Sequence, residues 1–260
     1  MIKVETPKAA YFLLTCLCLF MVTWIHIFPG SWKLGWNESH DQFVAWMLQH
    51  NPTHVTPPAT VTKYSGHYAV QFSHILPGSI WASIIPIQLS PSFRHSYPYL
   101  HKILGYIFTF TGCVMMIGLG IIDARKLYWF ENDYPEIIDT IPIWWHVCLR
   151  FQSRALLVWF LYSLCKAVSY ARSKRFHMHE VWMIRHIASG IWVAVQRLYV
   201  IYMEDENNTP AQMKLNFEVG GMLAVGLCFG LAEMYIAGWK KQIQAHFCNT
   251  STSFPEKKSL

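Results

Sequence analysis

Apolar runs of about twenty residues, separated by polar connectors, recur along this chain. A run of that length matches a helix crossing the hydrocarbon of a bilayer. The runs cover residues 11–29, 68–89, 103–122, 155–171, 181–203 and 217–239. The pattern predicts an all-α membrane protein, a polytopic bundle of about six transmembrane helices. Residues 1–10 form a short N-terminal segment, 11–239 the membrane domain, and 240–260 a polar tail expected to be disordered. A basic stretch precedes the first run, as in a signal peptide. Its apolar core is longer than the ~7–15 residues of a signal segment and no small-residue cleavage site follows, so it reads as a retained helix.

The fifth run is the one around which the others are arranged. Residues 179–199, HEVWMIRHIASGIWVAVQRLY, carry two Arg and two His within an otherwise apolar helix. At 3.6 residues per turn, His179, Trp182, His186, Ser189, Gly190, Val193 and Arg197 share one face. An unpaired ionisable group in the hydrocarbon costs at least ~2.5 kcal/mol, so this face is expected to look into the bundle. In the second run His74, Gly78, Trp81, Ile85 and Gln88 follow one face, and Pro77 and Pro86 free backbone carbonyls. In the third, His101, Gly105, Phe108, Gly112, Met115 and Leu119 do so. Small residues spaced in this way admit a neighbouring backbone or a flat ligand.

Between the runs, residues 30–67 are expected as a flexible outer loop, with a short amphipathic helix at the membrane surface as the alternative for DQFVAWMLQH and extended coil over the Pro-rich NPTHVTPPATVTK. TIPIWWHVCLR reads as an interfacial segment that delivers His146 near the start of the fourth run.

Composition agrees with a membrane protein: 53% of residues are hydrophobic and 14% charged, against about 25% charged in soluble domains. Where the charges fall matters more than the net +6. Lys3, Lys8, Arg94, Lys102, Arg172, Lys174, Arg175, Lys240, Lys241, Lys257 and Lys258 gather on one side, and NESHD, ENDYPEIID and MEDENN on the other. By the positive-inside rule both termini are expected in the cytoplasm. The basic balance is thus topological; the expected partner is the lipid bilayer, with no argument for nucleic acid. The seven Cys show no CxxC, which removes zinc ribbons and c-type haem attachment. Asn37-Glu38-Ser39 and Asn207-Asn208-Thr209 are glycosylation sequons on the predicted outer face. The expected location is a plasma or secretory-pathway membrane rather than a mitochondrial one.

The segments SHILPGSIWASIIPIQL, HKILGYIF and HEVWMIRHIASGIWVAVQRLY resemble a family of predicted integral membrane proteins known only as domain of unknown function 2306. The matching positions are His74, Pro86 with Gln88, His101 with Leu104 and Gly105, His179 with Trp182 to Arg185, and Arg197 to Tyr199. They fall within residues 72–199. Glu180 and Tyr106 stand where that family usually has basic residues. The resemblance implies the fold but no reaction. More weakly, the bundle resembles cytochrome b561-like haem-binding bundles, which implies a transmembrane electron carrier.

Haem b in a helix bundle takes axial ligands, commonly His, from facing helices at one depth. The topology puts His101, His179 and His186 on the inner side and His74, His146 and His26 on the outer. The expected sets are His101 with His179 or His186, and His74 with His146. The iron of that haem is the metal expected, and the protein would then be a membrane oxidoreductase. A metal-dependent hydrolase needs about three ligands converging at one depth, and no HExxH occurs. A non-redox transporter, or an assembly or structural membrane subunit, is the alternative, since Pro-broken helices with buried Arg also suit a translocation path. Finally, residues of an antiparallel hairpin lie level when they share a midpoint. Arg185 with Glu233 centres at about 209 and Arg197 with Glu218 at about 207.5, a mismatch within side-chain reach at 1.5 Å per residue. Both pairs are therefore expected as structural ion pairs.

Overall fold

The computed structural model describes residues 8–27, 31–50, 64–127, 143–203, 205 and 207–251. All regular structure among them is helical. In chain order the helices are α1 (Lys8–His26), α2 (Glu38–His50), α3 (residues 68–89), α4 (Pro91–Ser96), α5 (Pro98–Ala124), α6 (Ile143–Arg172), α7 (Phe176–Met203) and α8 (Pro210–Ser251). Among the described residues three stretches are long and apolar enough to cross a membrane: Lys8–His26, Pro98–Ala124 and Ala211–Gly238. The chain thus has the makings of an all-helical membrane protein. The expected loop at residues 51–63 lies outside the described residues.

Several boundaries have a local cause. α8 opens on a reciprocal cap: the Gln212 amide N–H meets Thr209 Oγ1 at 3.3 Å, and the Thr209 N–H meets Gln212 Oε1 at 2.8 Å. Pro210 follows at the first helical position, where its missing N–H costs nothing. α4 starts on Ser90, whose hydroxyl accepts from the Phe93 N–H, again with Pro next. α6 differs from expectation. From Ile143 onward the segment TIPIWWHVCLR is continuous with the fourth run as one helix, because neither Pro nor Gly occurs between Ile143 and Arg172. α8 likewise runs beyond Trp239 to Ser251. KKQIQAHF contains no breaker, so part of the tail expected to be disordered is helical.

α3 carries a turn that ideal-helix spacing misses. It is α-helical at Tyr68–Val70, π-helical at Gln71–Ile75 and α-helical again at Leu76–Leu89. The Leu76 N–H reaches back five residues to the Gln71 carbonyl, and Pro77, next in line, has no N–H with which to continue the i to i−4 ladder. His74 sits inside this widened turn. Further along, the Tyr11 hydroxyl of α1 donates to the Pro86 carbonyl at 2.9 Å, which is open because the Ser90 N–H at the helix end turns to Ile87.

α7 is the hub. It packs most extensively on α8 and α6 and also meets α1, while α3 packs on α1 and α5. The core formed between them is aromatic: Trp81 stacks on Phe108 with centroids 5.3 Å apart and leans on Phe160 at 5.8 Å. Two glycines make this packing possible. A Cβ on Gly190 would stand 2.6 Å from the Trp81 ring, and one on Gly118 would stand 2.5 Å from the Cβ of His74 and 2.7 Å from its backbone N.

Candidate functional site

His186, about a third of the way along the organising helix, is fully buried. The Trp81 indole N–H donates to its Nε2 at 3.3 Å, and its Nδ1 faces the Phe160 carbonyl at 3.1 Å and the Ser163 hydroxyl at 3.4 Å. The rings of Trp81, Phe108 and Phe160 close around it. Both ring nitrogens are therefore committed to the protein. The imidazole is the neutral Nδ1–H tautomer, tying α7 to α3 and α6. It has no lone pair left for a metal, so this histidine is a structural knot between the helices.

The inner pair differs. His101 lies in the first turn of α5 and His179 in the first turn of α7. The two rings are near enough to feel each other's charge, with Arg94 as a further neighbour. His179 Nδ1 donates to the Ala167 carbonyl at 2.9 Å, which leaves the lone pair on Nε2. Backbone carbonyls fix the tautomer of metal-binding histidines in the same way. His101 Nδ1 is buried without a hydrogen-bond partner. The Gln88 amide donates to the His101 carbonyl at 2.7 Å, clamping the C-terminal end of α3 to the start of α5. Around a Cβ built on Gly105 there is only the Gln88 amide nitrogen, at 4.0 Å, so space adjoins His101 one turn further along. Arg94 approaches Glu180 at 3.9 Å.

On the other side, His74 Nδ1 faces the Met115 carbonyl at 3.2 Å, again leaving Nε2 available. The side chain of His146 lies outside the described residues. His26 is engaged at both nitrogens, with the Ser79 hydroxyl at 2.7 Å and the Trp32 indole N–H at 3.1 Å.

The charged residues divide in the same way. Arg185 and Glu233 meet side-on, Nε to Oε1 at 2.6 Å and Nη2 to Oε2 at 2.9 Å, with the guanidinium 5.0 Å from the Trp182 ring centre. Arg197 and Glu218 form no such bridge. Glu218 turns to α6, where the Trp145 indole N–H donates to it at 2.6 Å, and it feels Lys214 one turn earlier on its own helix. Arg197 instead lies over the neighbouring residue's ring, Phe217, at 4.7 Å. Level placement is thus not sufficient, because successive residues of α8 point about 100° apart.

Among the described residues no three His, Cys, Asp or Glu converge. No family model, curated protein or solved structure matches the chain.

Proposed function

We propose that the chain is a multi-pass membrane protein of six spans with both termini cytosolic, and that it carries electrons by means of haem b held between His101 and His179. The observation that carries the reading is the pair His101 and His179: one imidazole oriented by a backbone carbonyl, the other with an orphaned buried nitrogen, on the first turns of α5 and α7 and close enough to interact electrostatically. When bound, haem would supply a one-electron couple within the bilayer.

The protein's own part is to orient and to insulate. The Ala167 carbonyl fixes the His179 tautomer, and the Gln88 amide holds the start of α5 in place. Arg94 and Lys102 offer positive charge at the basic face, where propionates would emerge. His74 has the same tautomeric set-up on the opposite side and is the candidate for a second haem with His146. If no haem is bound, the transporter or assembly reading takes over, with the widened turn at His74 as its starting point.

The spectrum of the purified full-length protein tests the proposal. A Soret band that sharpens and moves on reduction is expected, and its absence after haem supplementation during expression would reject it. Tags at each terminus, probed with and without permeabilisation, test the topology. Labelling of a C-terminal tag in intact cells would overturn it.

A further inference from the structure

Towards the α7–α8 end of the bundle one cation lacks an acidic partner among the described residues, and its surroundings point to a ligand. Glu218 and Lys214 are buried and face each other electrostatically, while Arg185 is held by Glu233. Arg197 has no acidic partner among the described residues. Its guanidinium lies 4.7 Å from the Phe217 ring centre and 5.9 Å from that of Trp24, with Tyr64 also within range of its charge. Its Nη1 is buried and makes no hydrogen bond. Aromatic faces attract a cation but give its in-plane N–H groups nothing to donate to. A guanidinium is built for the opposite task, presenting parallel donors to two oxygens of a carboxylate or phosphate.

The position suits such a partner. Arg197 lies six residues before Met203, the end of α7, or about 9 Å along the axis. Its long side chain can therefore reach the level where lipid headgroups begin. Trp24, Trp145 and Trp192 stand at this end of the bundle, as aromatic residues do at a membrane interface.

We propose that Arg197 is an oxyanion-binding residue. In this reading Phe217 and Trp24 hold the guanidinium flat, and a phosphate group supplies the missing acceptors. That phosphate belongs either to a lipid headgroup or to a free anion. The site is independent of haem.

The test uses full-length protein, delipidated in a sugar detergent that contains no phosphate. Melting is followed while inorganic phosphate is titrated against chloride at matched ionic strength, and separately while short-chain phosphatidylglycerol is added. The wild type is expected to show a saturable rise in Tm of a few degrees with one of the probes. A response to phosphate identifies a free-anion site, and a response to the lipid alone a headgroup site. Without either probe, Arg197→Met is expected to melt at or above the wild-type Tm, since it removes an uncompensated cation. It should respond to neither probe, and Arg197→Lys should respond more weakly than wild type. A wild type that responds to neither probe overturns the proposal. So does an Arg197→Met variant whose response equals that of the wild type.

Discussion

Gly118 and Gly120 lie two residues apart in α5, yet the same substitution should act on them in opposite directions. A Cβ on Gly118 would meet His74 Cβ at 2.5 Å, His74 N at 2.7 Å and the Ser73 carbonyl carbon at 2.8 Å, whereas one on Gly120 meets nothing within 4 Å. Replacing either glycine by Ala in a helix interior gains about 0.8–1 kcal/mol from reduced backbone freedom. At Gly120 that gain stands alone. At Gly118 two of the three contacts are backbone atoms of the π-helical turn, so no side chain can swing aside and α3 must move away from α5. Overpacking of this kind costs about 1–3 kcal/mol. The shift would also strain the His74–Met115 hydrogen bond, worth about 1 kcal/mol. Gly118→Ala is therefore expected to be about 2–4 kcal/mol less stable than Gly120→Ala, the latter matching or exceeding wild type. Thermal or denaturant unfolding in detergent, followed by near-ultraviolet circular dichroism, measures the difference. Equal stability of the two variants would refute the close approach of α3 to α5 at His74.

The Arg185–Glu233 pair should couple in a double-mutant cycle by about 0.5–1.5 kcal/mol, since polar pairs between membrane helices have averaged about 0.6 and reach about 1.7. Strictly additive losses for Arg185→Met and Glu233→Gln would show that the bridge contributes nothing. His40 on α2 lies outside the spans, and burial together with nearby Lys33 lowers its pKa, against the opposing pull of Asp41. Because the folded state favours the neutral ring, its contribution is complete above the ordinary pKa of about 6.5 and is lost as the pH falls below that value. Hydrogen-exchange protection of α2 should accordingly drop on acidification from neutral pH, and His40→Gln should remove that dependence. Unchanged protection down to pH 5 would contradict the assignment.

What could be read from the sequence was governed by regular periodicity, and what could not by breaks in it. The 100° wheel placed His186 on the inward face of α7, and the structure buries it completely. Hairpin arithmetic set Arg185 level with Glu233, where a side-on bridge stands. The stretch after the first run, expected first as a flexible loop and only second as an amphipathic helix, is the helix Glu38–His50. The same wheel did not separate the histidines by role. Whether an imidazole ties helices together or is poised to ligate depends on which carbonyl or indole N–H meets each nitrogen, and those partners come from elements far away in sequence. The π-helical turn at Gln71–Ile75 escaped because its cause, the missing N–H of Pro77, acts on a register that spacing rules take as fixed. Gly118 was overlooked for a related reason: its importance lies in the neighbour that approaches it, not in the face of its own helix. The Arg197–Glu218 expectation used depth alone, and azimuth separates them.

Reduced-minus-oxidised absorption spectra of the wild type beside His101→Ala and His179→Ala test the central claim most directly. All three proteins should be prepared identically and shown to be folded by circular dichroism. The wild type is expected to show a b-type difference spectrum, and each single variant to lose or shift the inner component while keeping its helical signal. A wild type with no haem signal, or two variants whose difference spectra match that of the wild type, would contradict the assignment of His101 and His179 as the ligands.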